Sequence, residues 1–222
     1  METESRIRLA IFDLDGVIVS TDECHFEAWK ALADARGYAF DRALNHSLRG
    51  VGRAESLGII LKANATDVPE AEFEKMLDEK NGTYRKLLEA LGSGDILPGV
   101  GVLLEDLRSS GLLLAIGSSS RNTPLILKKI GLADTFDAVV DGNAIANSKP
   151  HPEVFLKAAE ALSVPPAECV VFEDAQSGVD AARAAGMAVV GVGNAGLNGA
   201  DAVVADLVGL TEEKIAALLK GG

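Results

Sequence analysis

Apolar and polar positions along the chain fall into three regimes. Residues 7–12 are apolar but for one arginine and run into Asp13-Leu14-Asp15-Gly16. That is the pattern of a short buried strand ending in a polar loop. From there to about Leu91 the spacing is helical throughout. Phe26, Ala28, Trp29, Leu32 and Ala33 gather on one face of a helix predicted over 22–36, and further helices are predicted over 53–62 and 69–91. Beyond Pro98-Gly99 the periods alternate. Helices are predicted at 102–109, 123–130, 152–161, 177–185 and 212–219, and strands at 112–116, 138–140, 169–172, 188–192 and 202–204. Such alternation makes a parallel sheet covered by helices on both faces. The expected fold class is therefore α/β: a doubly wound, Rossmann-like core on residues 1–18 and 92–222, with an α-helical cap domain on 19–91 inserted after the first strand.

Composition narrows the partners. The chain has 222 residues and a net charge of −12, so it lacks the basic face that nucleic acid or an anionic membrane surface requires. A small phosphorylated substrate stays compatible, because a few local cations and a metal outweigh a weak general field. Two distant cysteines, Cys24 and Cys169, show no metal-ligand spacing, which points to reduced thiols and a cytoplasmic setting. The charged stretch before Arg8 has no signal-peptide core, and no apolar run reaches membrane-spanning length. No dimerisation segment stands out, so a monomer is expected.

The candidate chemistry lies at strand ends. Asp13 and Asp15, two residues apart, project to the same side, and burying both carboxylates without a cation would cost several kcal/mol, roughly. Taken alone, the pair also fits an acidic surface turn. Three further strand ends are loaded: Gly117-Ser118-Ser119-Ser120-Arg121-Asn122 before a helix, Ser148-Lys149-Pro150 before another, and Glu173-Asp174. Ligands of doubly wound sheets bind beyond the carboxyl ends of the strands. Each loop also has a plainer reading: Glu173-Asp174 as a helix cap, Asn122-Thr123-Pro124 as a helix start, Lys149 as a solvated lysine.

In their order and spacing, Asp13-Leu14-Asp15-Gly16-Val17, Ser118, Lys149 and Glu173-Asp174 resemble the four motifs of the haloacid dehalogenase superfamily of phosphotransferases. Residues 21–30, 48–57 and Lys80-Asn81 are similar to the cap of its β-phosphoglucomutase family. The resemblance implies interconversion of β-D-glucose 1-phosphate and glucose 6-phosphate, with β-glucose 1,6-bisphosphate as intermediate and activator. The alternative is a Mg²⁺-dependent sugar-phosphate phosphatase of the same superfamily. The resemblance assigns Asp13 as nucleophile and Asp15 as general acid and base. Asp13, the Asp15 carbonyl, Glu173 and Asp174 would be ligands of Mg²⁺, which takes octahedral oxygen sets and keeps waters. Phosphate and sugar contacts fall to Ser118, Ser119, Asn122 and Lys149 in the core and to Thr21, His25, Arg53 and Lys80 in the cap. The turn after Gly117 is expected to present backbone N–H groups to an anion. Three positions depart from the pattern: Gly52 where serine is common, Ser119 where alanine occurs, and His151 after Lys149-Pro150. The Gly52 change is expected to loosen the cap loop.

Overall fold

Each strand of the sheet is an almost unbroken apolar run, which suits burial on both faces. The computed structural model describes residues 7–193 and 196–220, so the core limits drawn at residues 1 and 222 lie outside it. In it β1 (Leu9–Phe12), β2 (Leu113–Gly117), β3 (Ala138–Val140), β4 (Cys169–Glu173), β5 (Ala188–Val192) and β6 (Ala202–Val204) form one sheet in the order β3-β2-β1-β4-β5-β6. All five pairings are parallel. The chain therefore builds outward from β1 through β2 to β3, then crosses back to place β4 on the other side of β1. The reversal of strand order falls at the carboxyl ends of β1 and β4, where Asp13 and Glu173 stand.

Period-2 alternation divides the core between the two faces. Ala10, Phe12, Leu114, Ile116, Val170 and Phe172 pack on one side with α5 (Val100–Ser109), α6 (Thr123–Ile130) and α9 (Glu212–Lys220). Leu9, Ile11, Ala115, Val171 and Val189 pack on the other with α7 (Glu153–Ala161) and α8 (Gln176–Ala184). The register sets Phe12 beside Phe172, their rings stacked 4.7 Å apart just beneath the candidate site.

Between β1 and α5 the chain is helical: α1 (Asp22–Asp34), α2 (Arg42–His46), α3 (Arg53–Ala63) and α4 (Glu70–Leu87). These helices hold a separate apolar cluster built on Trp29, Leu32, Leu57, Ile60, Leu61, Met76 and Leu77. The fold is thus a doubly wound α/β core carrying an α-helical insertion. Two chain segments join the parts, and they are tied together where Leu97 N–H donates to Ile18 O and Val19 bridges Ile96. The long helix predicted over 69–91 ends at Leu87 and tightens into a 3₁₀ turn, Leu88–Ala90. α2 is not foreseen by periodicity, because five residues hold too few apolar positions to show a period. Its start is set by Asp41, whose carboxylate accepts the Leu44 N–H at 2.8 Å.

Candidate active site

The loop after β1 is shaped by its hydrogen bonds and by one glycine. Gly16 N–H donates to Val19 O, and Ile18 and Val19 N–H both return to Leu14 O, which folds Asp13–Val19 into a tight turn. Gly16 has φ +89°, and a Cβ there would overlap the Asp174 carboxylate. The missing side chain is what lets Asp174 lie across the turn beside Asp13 and Asp15.

Lys149 is the cation at the centre. Its side chain is 0% exposed, and its ammonium donates to Asp13 Oδ1 at 2.5 Å and to Glu173 Oε1 at 2.6 Å. Nζ also lies 4.7 Å over the Phe155 ring. Burial alone would lower its pKa; the Asp13 and Glu173 charges and hydrogen bonds override this and raise it. The surface-lysine reading of this residue is therefore set aside. The Lys149–Pro150 peptide is cis, the rarer isomer for such a bond.

Glu173 has both oxygens engaged, Oε1 by Lys149 and Oε2 by the Ala175 N–H at 3.0 Å. Burial raises its carboxyl to about 7 against the pull of Lys149, and Asp13 adds repulsion. Asp174 is raised to about 8 by burial and then by Glu173, Asp13 and Asp15, with Arg49 opposing. Neither acid caps α8, whose N-cap position is Ala175.

Asp15 is held from one side by Thr21, whose N–H reaches Oδ1 at 2.6 Å and whose hydroxyl reaches Oδ2 at 2.9 Å. Its carboxyl is raised to about 6, chiefly by burial in the cleft, with Thr21 lowering and Asp13 raising it. Thr21 occupies the N-cap of α1 yet makes no side-chain cap, because its hydroxyl is spent on Asp15 and on Tyr84 Oη, 2.9 Å away. His25, one turn on, places Nε2 3.9 Å from Asp15 Oδ2 and Nδ1 2.9 Å from Lys80 Nζ. Burial and then Lys80 push His25 well below its usual range. Lys80 is itself lowered to about 7 by burial and by Arg53, against the pull of Asp15. It sits over the rings of Trp29 and Tyr84 at 4.8 and 4.4 Å.

Asp13, Asp15, Asp174, His25, Lys80 and Tyr84 line one cleft of 1430 Å³ between the sheet's carboxyl edge and the helical insertion, with Thr21, Lys149 and Glu173 buried behind that lining. Ser118, Ser119, Arg121, Asn122, Arg53 and Asn81 complete its wall. Arg53 is half-buried and forms no hydrogen bond or ion pair among the described residues, while burial and the neighbouring Arg121 lower its pKa. The turn after β2 differs from expectation in one respect. The N–H groups of Ser120 and Asn122 are taken at 3.2 Å by the hydroxyls of Ser118 and Ser120. Asn122 does not cap α6 with its side chain but donates across the cleft to Asn81 Oδ1 at 2.9 Å. Ser119 Oγ is the one buried side-chain polar atom without a partner among the described residues.

Two features were missed from sequence. Tyr84, one helical turn after Lys80, could have been found from that spacing. The loop carrying Arg49 and Gly52 rests on the core: Ser177 Oγ donates to Arg49 O at 3.3 Å, and a Cβ on Gly52 would overlap Ser148 Oγ. Gly52 N–H is held by Glu55 Oε2 at 3.3 Å. Glycine at 52 therefore gives close approach to the core rather than the loosening its sequence context suggested.

The donor set suits a hard divalent cation. Four carboxylates share the site with Lys149, whose ammonium satisfies only Asp13 and Glu173, leaving the excess negative charge that lifts Asp174. Among the described residues no group of three or more His, Cys, Asp or Glu side chains forms a ready-made metal cage. A hard cation such as Mg²⁺ takes oxygen ligands, often one or two carboxylates, and keeps waters.

A parallel sheet with paired acids at its reversal point, a buried lysine between them and a helical insertion overhead defines a phosphotransferase-type site. The family model of haloacid dehalogenase-like hydrolases matches residues 7–186, and the chain belongs to that family. It is 43% identical over 210 residues to β-phosphoglucomutase of Bacillus subtilis, covering 93% of each chain. It is 34% identical to a phosphorylated carbohydrates phosphatase of Thermotoga maritima, covering 80% of this chain and 81% of the relative. The crystal structure of β-phosphoglucomutase from Clostridium difficile superposes with a TM-score of 0.92 at 39% identity, over 97% of this chain and 98% of that one. No helix among the described residues is long and apolar enough to cross a membrane.

Proposed function

We propose that the chain interconverts β-D-glucose 1-phosphate and glucose 6-phosphate through an aspartyl-phosphate on Asp13. The reading rests on one observation above the rest: half-buried Arg53 lines the same cleft as Asp13, without an ion pair or hydrogen bond of its own among the described residues. A bisphosphate intermediate needs two anion sites. Lys149 and Ser118 serve the transferring group, and Arg53, whose planar fork suits paired phosphate oxygens, serves the other. The similarity to β-phosphoglucomutases over nearly the whole chain supports the same reading.

In this reading residues 19–91 act as the cap and 1–18 with 92–222 as the catalytic core. An Asp13 carboxylate oxygen attacks phosphorus as the ester P–O bond breaks, and Asp15 gives its proton to the departing sugar oxygen. In the other half-reaction Asp15 takes the proton from the incoming hydroxyl, which attacks the phosphoryl group on Asp13. β-Glucose 1,6-bisphosphate links the two halves and must turn over in the cleft. Asp13, the Asp15 carbonyl and Asp174 would hold Mg²⁺, with Glu173 acting through Lys149 or a water because both its oxygens are engaged. The ion would supply charge neutralisation between nucleophile and phosphoryl group. Thr21, His25 and Lys80 set the environment of Asp15 on the cap side. Ser119, whose hydroxyl has no partner among the described residues, and Asn122 line the phosphate side. The substrates are small sugar phosphates, and the setting a cytoplasmic monomer.

A phosphatase is the second reading, favoured by the 34% identity to a phosphorylated carbohydrates phosphatase. Phosphorus NMR separates the two. With Mg²⁺, β-glucose 1-phosphate and a trace of glucose 1,6-bisphosphate, the mutase converts substrate to glucose 6-phosphate without free phosphate. Accumulating inorganic phosphate would establish the phosphatase instead.

A further inference from the structure

Between β3 and α7 the chain runs through residues 141–152 with neither strand nor helix. This stretch nonetheless delivers the Lys149 ammonium to within 2.5 Å of Asp13 and 2.6 Å of Glu173. A lysine is a point charge on a flexible four-carbon stem, so such placement needs the backbone beneath it to be fixed.

Glu153, in the first turn of α7, does the fixing. Its Oε1 accepts the Ala146 N–H at 3.0 Å, and its Oε2 accepts the Asn147 N–H at 2.9 Å and Asn147 Nδ2 at 3.0 Å. One carboxylate thus holds two successive backbone N–H groups, the second only two residues before Lys149. Lys157, one turn along α7, lies 2.7 Å from Glu153 Oε1 and donates to Ala144 O at 2.6 Å. On the other side of Lys149, His151 N–H returns to Ser148 O at 3.0 Å, and Glu153 N–H donates to His151 Nδ1 at 3.2 Å. An acid at this place would ordinarily complement the start of its own helix. Here both oxygens are engaged by the preceding loop instead. The bonds from Lys157 and from the Ala146 and Asn147 N–H groups hold the Glu153 carboxyl down to about 2. It therefore stays ionised, and hydrogen bonds to an ionised acceptor are about twice as strong as neutral ones.

We propose that Glu153 is a positioning residue for phosphoryl transfer: by gripping the backbone of Ala146 and Asn147 it sets where the Lys149 ammonium stands between Asp13 and Glu173. Glu153 itself touches no reacting atom. The proposal rests on the reading of Lys149 as a partner of the transferring group, which the mutase and phosphatase readings share.

The test uses Glu153→Gln, which keeps the shape, removes the charge and turns an amide donor toward one of the two backbone N–H groups. The variant should keep a folded thermal transition. It should slow loading of Asp13 by acetyl phosphate and turnover of β-glucose 1-phosphate by the same factor, about tenfold, within the roughly 10²-fold that a misplaced group can cost. In a Lys149→Met background the same change should slow loading no further, because both act through one ammonium. Lys149 Nζ should give its own proton–nitrogen signal, absent from Lys149→Met, and Glu153→Gln should shift it. An unmoved signal would overturn the proposal, as would multiplied losses in the double variant. Lower stability with loading and turnover per folded molecule unchanged would overturn it too and leave Glu153 a loop staple. Should Glu153→Gln fail to fold, Glu153→Asp carries the same measurements with a smaller loss, since it keeps the charge and withdraws it by one methylene. Wild-type protein that loads from acetyl phosphate but releases phosphate rather than forming glucose 6-phosphate would overturn the mutase reading and leave this test intact.

Discussion

Replacing Lys149 by methionine removes the buried cation while nearly preserving its volume, and the structure gives the expected cost. The ammonium makes charge-assisted hydrogen bonds of 2.5 and 2.6 Å to Asp13 and Glu173, with its side chain fully buried. Taking one partner from a buried pair costs about 3–5 kcal/mol, since the remaining charge is left without compensation. Protonation limits the loss. Glu173 is already raised to about 7 by burial, even with Lys149 pulling it down, and without Lys149 it rises further. A carboxyl whose folded pKa exceeds its unfolded value costs stability progressively as pH rises from the unfolded value through the folded one. The deficit of Lys149→Met should therefore be smaller near about pH 5.5, where Glu173 is neutral and only Asp13 loses its partner, and reach about 3 kcal/mol near pH 7.5. Urea unfolding of metal-free protein in chelator at the two pH values measures it. A deficit below about 1 kcal/mol at the higher pH, or one equal at both, would refute the central place given to this ammonium.

Asp13→Asn should abolish turnover and leave no phosphorylated species in intact-mass spectra of acetyl phosphate-treated protein, while a folded thermal transition persists; phosphate still carried by this variant would move the nucleophile elsewhere. Because Asp174 is raised to about 8, Mg²⁺ binding at pH 7 should expel about one proton, and calorimetry in buffers of different ionisation enthalpy should show this fall toward zero near pH 9. Proton release independent of pH would exclude Asp174 as a ligand. Gly50→Ala places a Cβ at φ +72°, overlapping Ser177 Oγ. It should cost about 1–2 kcal/mol in stability and raise KM for the sugar phosphate by spoiling the seat of the 49–53 loop; a neutral Gly50→Ala would show that this loop does not rest on the core during catalysis.

How much of this was readable from the sequence depends on the range of the interaction. The strands were legible because both faces are buried, so Leu9–Phe12 and Cys169–Phe172 are apolar without interruption. The insertion was legible because Trp29, Leu32 and Ala33 keep one helical stripe, and they form its core as the stripe implies. Helix ends were less so: α4 stops at Leu87 and gives way to a 3₁₀ turn, and helix ends are set by few residues. The acids at the ends of β1 and β4 were visible as residues, but their partition was not. Lys149 lies 136 positions from Asp13 and 24 from Glu173, and only strand order sets one ammonium between both. Lys149 thereby takes one Glu173 oxygen while the local Ala175 N–H takes the other, and only the first of these lies beyond the reach of local pattern.

The same distance argument explains Tyr84. It is 63 residues from Thr21, and along α4 it reads as one more apolar position in a helical stripe. What distinguishes it is the polar end of the ring, which a buried tyrosine must satisfy. That hydroxyl finds its partner in Thr21, the N-cap residue of α1, whose own hydroxyl reaches Asp15. Water is excluded by any well-packed cover, whereas a carboxyl that must give and then take a proton needs the cover in register. The two Thr21 bonds to Asp15 are where the insertion meets that carboxyl, and they lie at the start of α1 rather than on α4.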